Sequence, residues 1–347
     1  MRSSDAANRP RWRGQAGFYE IWFLVVFEAA ARRAWWFRYT TFAPAPGLQP
    51  GVARATLWAA AFDARALAPA LAVKRILGAE DYHAGSPERF AIRIGPAELR
   101  NDVCRGEVES GAHRIAWALR FVPAAREARR APWLLGHLPL PTRVAHANSE
   151  IACSGWVSVD GVRRELDGAP AVQKHIWGTR RVEELFWLYC PRFDEEVSAC
   201  LEATAVRLRR RPSVPRLVPI WFRTAHGALD RCGLASLAGN RVEVRGPARV
   251  EFRSLSATCS LRAEAWCNPR TLVGYVYRDP AGGDVHVAQS DLASVTLELR
   301  RRPHPLAAWR LPRRLTCTEG AALELHAPEP LPGVRYLGWD ATALEGP

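Results

Sequence analysis

The sequence predicts an all-β protein made of two antiparallel β-barrel domains, and three observations predict it. Short runs rich in β-branched and aromatic residues recur along the whole chain, separated by Gly, Pro, Asn and Asp turn pairs. No G-x-G-x-x-G, no P-loop and no regular alternation of strands with helices is present, which excludes a nucleotide-binding α/β fold. The 347 residues suffice for two domains of ordinary size, each burying a core without staples.

Residues 1–16 are polar and basic and are expected to form a disordered arm. The first barrel is placed at 17–178 and the second at 179–347, divided just after Gly178. FYEIWFLVVF (18–27) and AWWFRYTTF (34–42) are aromatic β-formers joined by a short polar link, a hairpin signal. Ala43–Leu48, with two prolines, is a loop, and Ala53–Asp63 is a third strand. Ala66–Leu77 has the composition of a short helix ended by Gly78. Phe90–Ile94, Glu98–Arg105 and Ala112–Val122 continue the strands. Pro123–Pro141, Arg-rich and carrying a Pro-Trp pair, is a long loop across a barrel mouth. Ala152–Asp160 and Val162–Leu166 meet at Asp160-Gly161, a pair that favours a two-residue hairpin turn. Strands from Glu183–Phe193 to Ala322–His326 repeat the pattern, with turn pairs at His226-Gly227, Asp279-Pro280 and Gly282-Gly283. RLRRRPSVP (207–215) and RRRPHP (300–305) read as solvated basic loops.

The stretch AVQKHIWGTRRVEELFWLYCPRF (171–193) sits at the centre of this plan. Gln173, His175 and Trp177 are spaced by two, so on a strand they share one face, while Val172, Lys174 and Ile176 share the other. An amide, an imidazole and an indole in a row either close a barrel end or line a cavity. His175 is therefore read either as a polar bridge between the two halves or as a ligand contact, and Trp177 as a buried plug. Trp187 and Tyr189 follow within fifteen residues of His175. In the first hairpin Glu20, beside Trp22 and Trp36, is the candidate buried acid, with an ion pair to Arg38 as the alternative. The candidate catalytic residues are Glu20 and His175. The candidate ligand-binding residues are Trp22, Trp36, Arg38, Tyr39, Gln173, Trp177, Trp187 and Tyr189.

His175-Ile176-Trp177-Gly178, preceded by the hairpin SGWVSVDGVRREL (154–166), resembles the motif of the hydroxyneurosporene-synthase/AttH-like superfamily, which also holds tocopherol-cyclase-like proteins. The opening run FYEIWFLVVFEAAARRAWWFRYTTF resembles that family's first hairpin. The resemblance extends from Gly17 to Trp339. It implies two lipocalin-like, calycin-type barrels in tandem, with a cavity for an isoprenoid, polyene, lipid or polyketide. It also implies hydratase, cyclase or isomerase chemistry without a redox cofactor. Carotenoid hydratases of this kind protonate an alkene with a carboxylic acid and steady the cation with aromatic rings. That chemistry needs an acid in a dry pocket with π-faces nearby. His175 and Trp177 match the motif. The chain departs from the hydratases in lacking a Y-x-D after it, since Tyr189 is followed by Cys190 and Pro191. No cofactor and no metal is expected.

Composition narrows the partners. Hydrophobic residues make up 48% of the chain and Trp occurs 14 times, which excludes disorder as the general state. None of the eight Cys forms a C-x-x-C pair, so they read as small buried hydrophobes. The net charge is +13, yet Lys occurs only at Lys74 and Lys174, so the excess is Arg. No nucleic-acid-binding motif accompanies it, and no specific nucleic-acid binding is expected. Anionic membranes and acidic ligands remain open. The apolar run Ile21–Phe27 is too short to span a bilayer, and the chain reads as soluble and cytoplasmic with peripheral membrane contact. Three roles compete: a carrier of a lipophilic molecule, an enzyme on the same scaffold, and a basic membrane-surface module. An ionisable acid inside the cavity favours the enzyme.

Overall fold

In the computed structural model, which describes residues 3–48, 51–66, 70–86, 88–208 and 215–343, strand Phe18–Glu28 is buried on both faces over nearly its whole length. This accounts for its unbroken apolar run. Trp22, Leu24 and Val26 enter the core of the first sheet, while Ile21, Phe23 and Val25 meet the second sheet. A strand with two dry faces has no use for the polar alternation of a half-solvated one.

The first sheet has eleven antiparallel strands between Phe18 and Gly178. Phe18–Glu28 lies at its middle, flanked by Arg33–Ala43 and by the closing strand Val162–Gly178. The edge strands, Ala70–Gly78 and Tyr82–Ala84, are consecutive in the chain and joined by the 3-10 turn Ala79–Asp81. The sheet therefore curls until its edges come together, as in an up-and-down barrel. The second sheet repeats the scheme. Glu184–Cys190 lies between Cys200–Arg207 and the closing strand Arg313–Ala327. Its edges, Gly227–Arg231 and Asn240–Val244, are again consecutive, joined by the short helix Leu234–Leu237. These are two tandem lipocalin-like barrels. Each interior is filled by its own side chains, and a third apolar cluster, with Phe23, Trp36 and Trp58 against Trp187, Trp221 and Tyr275, joins them.

Long hairpins close both barrels: Thr142–Val159 with Val162–Gly178, and Asp284–Arg301 with Arg313–Ala327. The first turns at Asp160 (φ 48°) and Gly161 (φ 82°), the pair of left-handed residues that a type I′ turn requires. All eight Cys are buried and unpaired. No helix among the described residues is long and apolar enough to cross a membrane.

Two local expectations are corrected. The helix expected over Ala66–Leu77 is strand Ala70–Gly78, paired in register with Arg54–Asp63; residues 67–69 lie outside the described set. Ala-rich composition favoured the helix, and backbone pairing with a distant neighbour overrode it. The arm expected to be disordered is ordered from Ser3. Helix Ser3–Asn8 packs on the first barrel, with Ser4 and Asn8 fully buried; Met1 and Arg2 are outside the described residues. Of the basic loop 207–215, residues 209–214 are likewise outside.

Candidate functional site

The motif strand divides its side chains as the spacing requires, and the two faces do different things. Gln173 and His175 point into the first barrel, where the N-terminal segment caps them. His175 stacks on Trp22 with ring centroids 4.7 Å apart. Its Nδ1 donates to the carbonyl of Ala7 at 2.8 Å, and its Nε2 donates to Glu20 Oε1 at 2.7 Å. Glu20 also accepts the backbone N–H groups of Arg11 at 2.7 Å and Trp12 at 2.8 Å. These contacts to two backbone N–H groups and the imidazole hold the Glu20 carboxyl in one orientation at the barrel mouth. Gln173 Oε1 accepts from Asn8 at 3.2 Å and from Asn148, and Trp22 Nε1 donates to the carbonyl of Asn8 at 3.0 Å.

The sequence-predicted catalytic pair is thus brought together, but to hold residues 3–12 in the barrel mouth. His175 bridges to the N-terminal segment and not to the second half. Glu20 pairs with His175 and not with Arg38. Trp177 is half-buried against Ala7, Ala145 and Ala147, with the Arg11 guanidinium 5.1 Å from its ring, so it is a lid contact more than a plug.

The opposite face of the same strand meets a cavity of about 990 Å³ between the two barrels. This cavity lies between the barrels, whose interiors are each occupied by an apolar cluster. Trp36, Arg38, Trp177 and Trp187 line this cavity, as do Lys174 and Ile176. Glu20, His175, Trp22, Tyr39, Gln173 and Tyr189 do not. The Tyr39 hydroxyl lies 3.0 Å from the carbonyl of Glu98 in the first core, and Tyr189 donates to the carbonyl of Ser149 at 2.5 Å. Both rings are structural. The loop expected across a barrel mouth, 123–141, covers the cavity and carries the 3-10 turn Trp133–His137.

Several charged groups missed in the sequence occupy the cavity wall. Lys174 is paired with the buried carboxylate of Glu202. Arg130 Nε donates to Glu202 at 3.1 Å, Trp187 Nε1 at 3.2 Å, and His146 Nδ1 is 3.4 Å away. Burial alone would raise Glu202, but Lys174, His146 and Arg130 outweigh it and hold the carboxyl well below its ordinary value. Burial lowers His146 and Lys174, and the neighbouring cations add to this for both.

A second group is Glu324 with His326, two apart on the closing strand of the second barrel. The carboxylate accepts from His326 Nε2, and His326 Nδ1 is buried with no hydrogen-bond partner in the protein. Burial would raise Glu324, and the hydrogen bond and charge of His326 overcome it, so Glu324 lies below its ordinary value. The signal that could have found part of this wall was in the composition. In a chain that uses Arg for its surface charge, the only two lysines, Lys74 and Lys174, are both buried.

No family model matches the chain. An uncharacterized protein of Mycobacterium tuberculosis, Rv0493c in strain H37Rv and MT0513 in strain CDC 1551, is 26% identical over 303 residues, covering 86% of either protein. Among solved structures, a protein of Nitrosomonas europaea assigned as AttH aligns with a TM-score of 0.52 at 11% identity, over 90% of this chain and 93% of that one. Kievitone hydratase from Nectria haematococca aligns with a TM-score of 0.54 at 9% identity, over 95% of this chain and 93% of that one. The chain therefore shares the fold of these two proteins, two lipocalin-like barrels in tandem.

Proposed function

We propose that this protein binds a lipophilic small molecule between its barrels and acts on it by proton transfer, as a hydratase, cyclase or isomerase that needs no redox cofactor. The observation that carries the reading is the Glu324–His326 pair facing an aromatic cavity of about 990 Å³. That volume lies at the upper end of the range for small-molecule sites. Trp36, Trp187 and Tyr277 offer π-faces to a developing positive charge. Glu324 orients the imidazole through Nε2 and stabilises its protonated form, leaving Nδ1 to give or take a proton at the ligand. Kievitone hydratase, a hydratase by name, shares the fold. The test is mass spectrometry of the organic extract of the purified protein, followed by incubation of the recovered compound with the protein in D2O. Deuterium uptake or addition of water, abolished in His326→Gln, supports catalysis. A compound recovered unchanged makes the protein a carrier, and an empty extract with no retained lipophile removes the reading.

A second reading concerns where the ligand is loaded. Trp133 is 67% exposed at the cavity rim, with Leu134 and Leu138 beside it. Arg143 donates to the carbonyls of Gly136 at 2.9 Å and Leu138 at 2.6 Å, which fixes the turn. Arg126 and Arg129 are exposed nearby. An apolar lip among cations suits reversible contact with an anionic membrane. Sedimentation with phosphatidylserine vesicles but not phosphatidylcholine vesicles, lost in Trp133→Ser, supports it, and equal sedimentation with both removes it.

A further inference from the structure

The proposed cavity contains two buried cations that, among the described residues, make no ion pair. Arg38, 2% exposed, projects from the strand Arg33–Ala43 of the first barrel. Its guanidinium carbon lies 3.9 Å from the centre of the Tyr277 ring and 5.2 Å from that of Trp58, and its Nε donates to Thr40 Oγ1 at 2.9 Å. Arg181, 7% exposed, lies in the link between the barrels. It sits 5.0 Å from the same Tyr277 ring and 4.3 Å from Tyr19, and its Nε donates to the carbonyl of Arg278 at 2.9 Å. Both line the cavity.

Among the described residues, neither guanidinium makes an ion pair. The nearby acids are engaged elsewhere. Asp279 accepts the backbone N–H of Arg181 at 2.6 Å and that of Ala281 at 2.7 Å, and Glu324 is held by His326. The other buried cations of the wall, Lys174 and Arg130, are paired with Glu202. Ring faces offset part of the desolvation of a guanidinium but do not supply the bidentate acceptor it is built to meet. A buried charge without a partner is destabilising unless a ligand provides one.

We infer that Arg38 and Arg181, both against the Tyr277 ring, form an anion clamp, and that the ligand is an amphiphile whose carboxylate sits there while its apolar body lies along Ile21, Phe23, Trp36 and Trp187. The inference rests on the proposed lipophile cavity and names the class of molecule it takes: an acyl, isoprenoid or polyketide carboxylate in place of a neutral hydrocarbon. One further property follows. The carboxylate anchors one end of the chain against the first barrel, so the reacting carbon is presented to His326 at a set distance from that end.

The test compares parinaric acid, a fluorescent polyene carboxylic acid, with its methyl ester, on the full-length protein in about 0.5 M salt to screen surface attraction. The acid is expected to bind at least about tenfold more tightly than the ester, the discrimination given by one charge-assisted hydrogen bond. Arg38→Met and Arg181→Met should each abolish that preference while keeping ester binding, and Arg38→Lys should retain part of it. Equal wild-type affinity for acid and ester overturns the clamp and leaves the cavity reading standing; this comparison needs no variant and so survives misfolding of any of them. Preference for the acid that persists in both Met variants overturns the assignment to these arginines. Binding of neither probe overturns the cavity reading together with the clamp.

Discussion

Replacing Glu20 by Gln separates a structural carboxylate from a catalytic one. Glu20 accepts three N–H groups, from Arg11 and Trp12 at 2.7 and 2.8 Å and from His175 at 2.7 Å. The isosteric amide keeps one carbonyl oxygen and turns an N–H group toward a donor. Oε1 serves Arg11 and His175 and Oε2 serves Trp12, so an amide oxygen in the Oε1 place keeps two bonds without their charge and loses the third, and Glu20→Gln should destabilise by about 1.5–3 kcal/mol. That is an appreciable fraction of the total for a domain, typically about 5–15 kcal/mol. Because these bonds hold residues 3–12, the N-terminal segment should be released, and trypsin should cut after Arg11 and Arg13 in the variant long before it does so in the parent. Urea unfolding followed by tryptophan fluorescence gives the first number and limited proteolysis the second. Parinaric acid binding should fall only in step with release of the segment, whose Ala6, Ala7 and Arg11 line the cavity, since Glu20 itself does not. A variant with unchanged urea midpoint and an intact N-terminus, but with binding or turnover lost, refutes the placement and returns Glu20 to the role of acid.

The buried cluster around Glu202 should be more sensitive: Glu202→Gln strips Lys174 and Arg130 of their only shared anion and should destabilise by about 3–5 kcal/mol, and a loss under about 1 kcal/mol in urea unfolding would show the cluster to be hydrated. Acid should unfold the protein in two stages. His146 sits below its ordinary 6.5, so as pH falls through that value the unfolded chain takes up a proton that the folded chain refuses, and stability drops. Glu202 sits well below its ordinary 4.5, so its contribution is complete above that value and is lost as pH falls below it. Melting temperature against pH should show both slopes, the upper one flattened in His146→Gln. A curve level from about pH 7 to about pH 5 would contradict the His146 assignment, and one level from about pH 5 to about pH 3 the Glu202 assignment.

The barrels were legible because their determinants are local. Aromatic and β-branched runs, the Asp160-Gly161 turn and the absence of nucleotide-binding loops act over a few residues, and each could be read without knowing its neighbours. The motif strand was legible for the same reason: a period of two separates Gln173 and His175 from Lys174 and Ile176 wherever the strand lies. What each face meets was not legible. The order of residues 3–12 depends on hydrogen bonds from Asn8 to Gln173 and from His175 to Ala7, across 165 and 168 positions of chain, and a polar N-terminus carries no local sign of them. The strand Ala70–Gly78 resembled a helix until its partner Arg54–Asp63 supplied the other half of its ladder. Polar and aromatic residues on one face of His175's strand suggested a ligand wall, yet that face received the chain's own N-terminus. Most of the cavity wall formed on the other face, where Lys174, Arg38 and Tyr277 arrive from three strands of two barrels. By itself the sequence determined the strand class, the turns and which side chains share a face, because those follow from backbone period and sterics. Only the tertiary structure decided which face became cavity, since that is set by the docking of one barrel on the other and by the desolvated charges that the contact encloses.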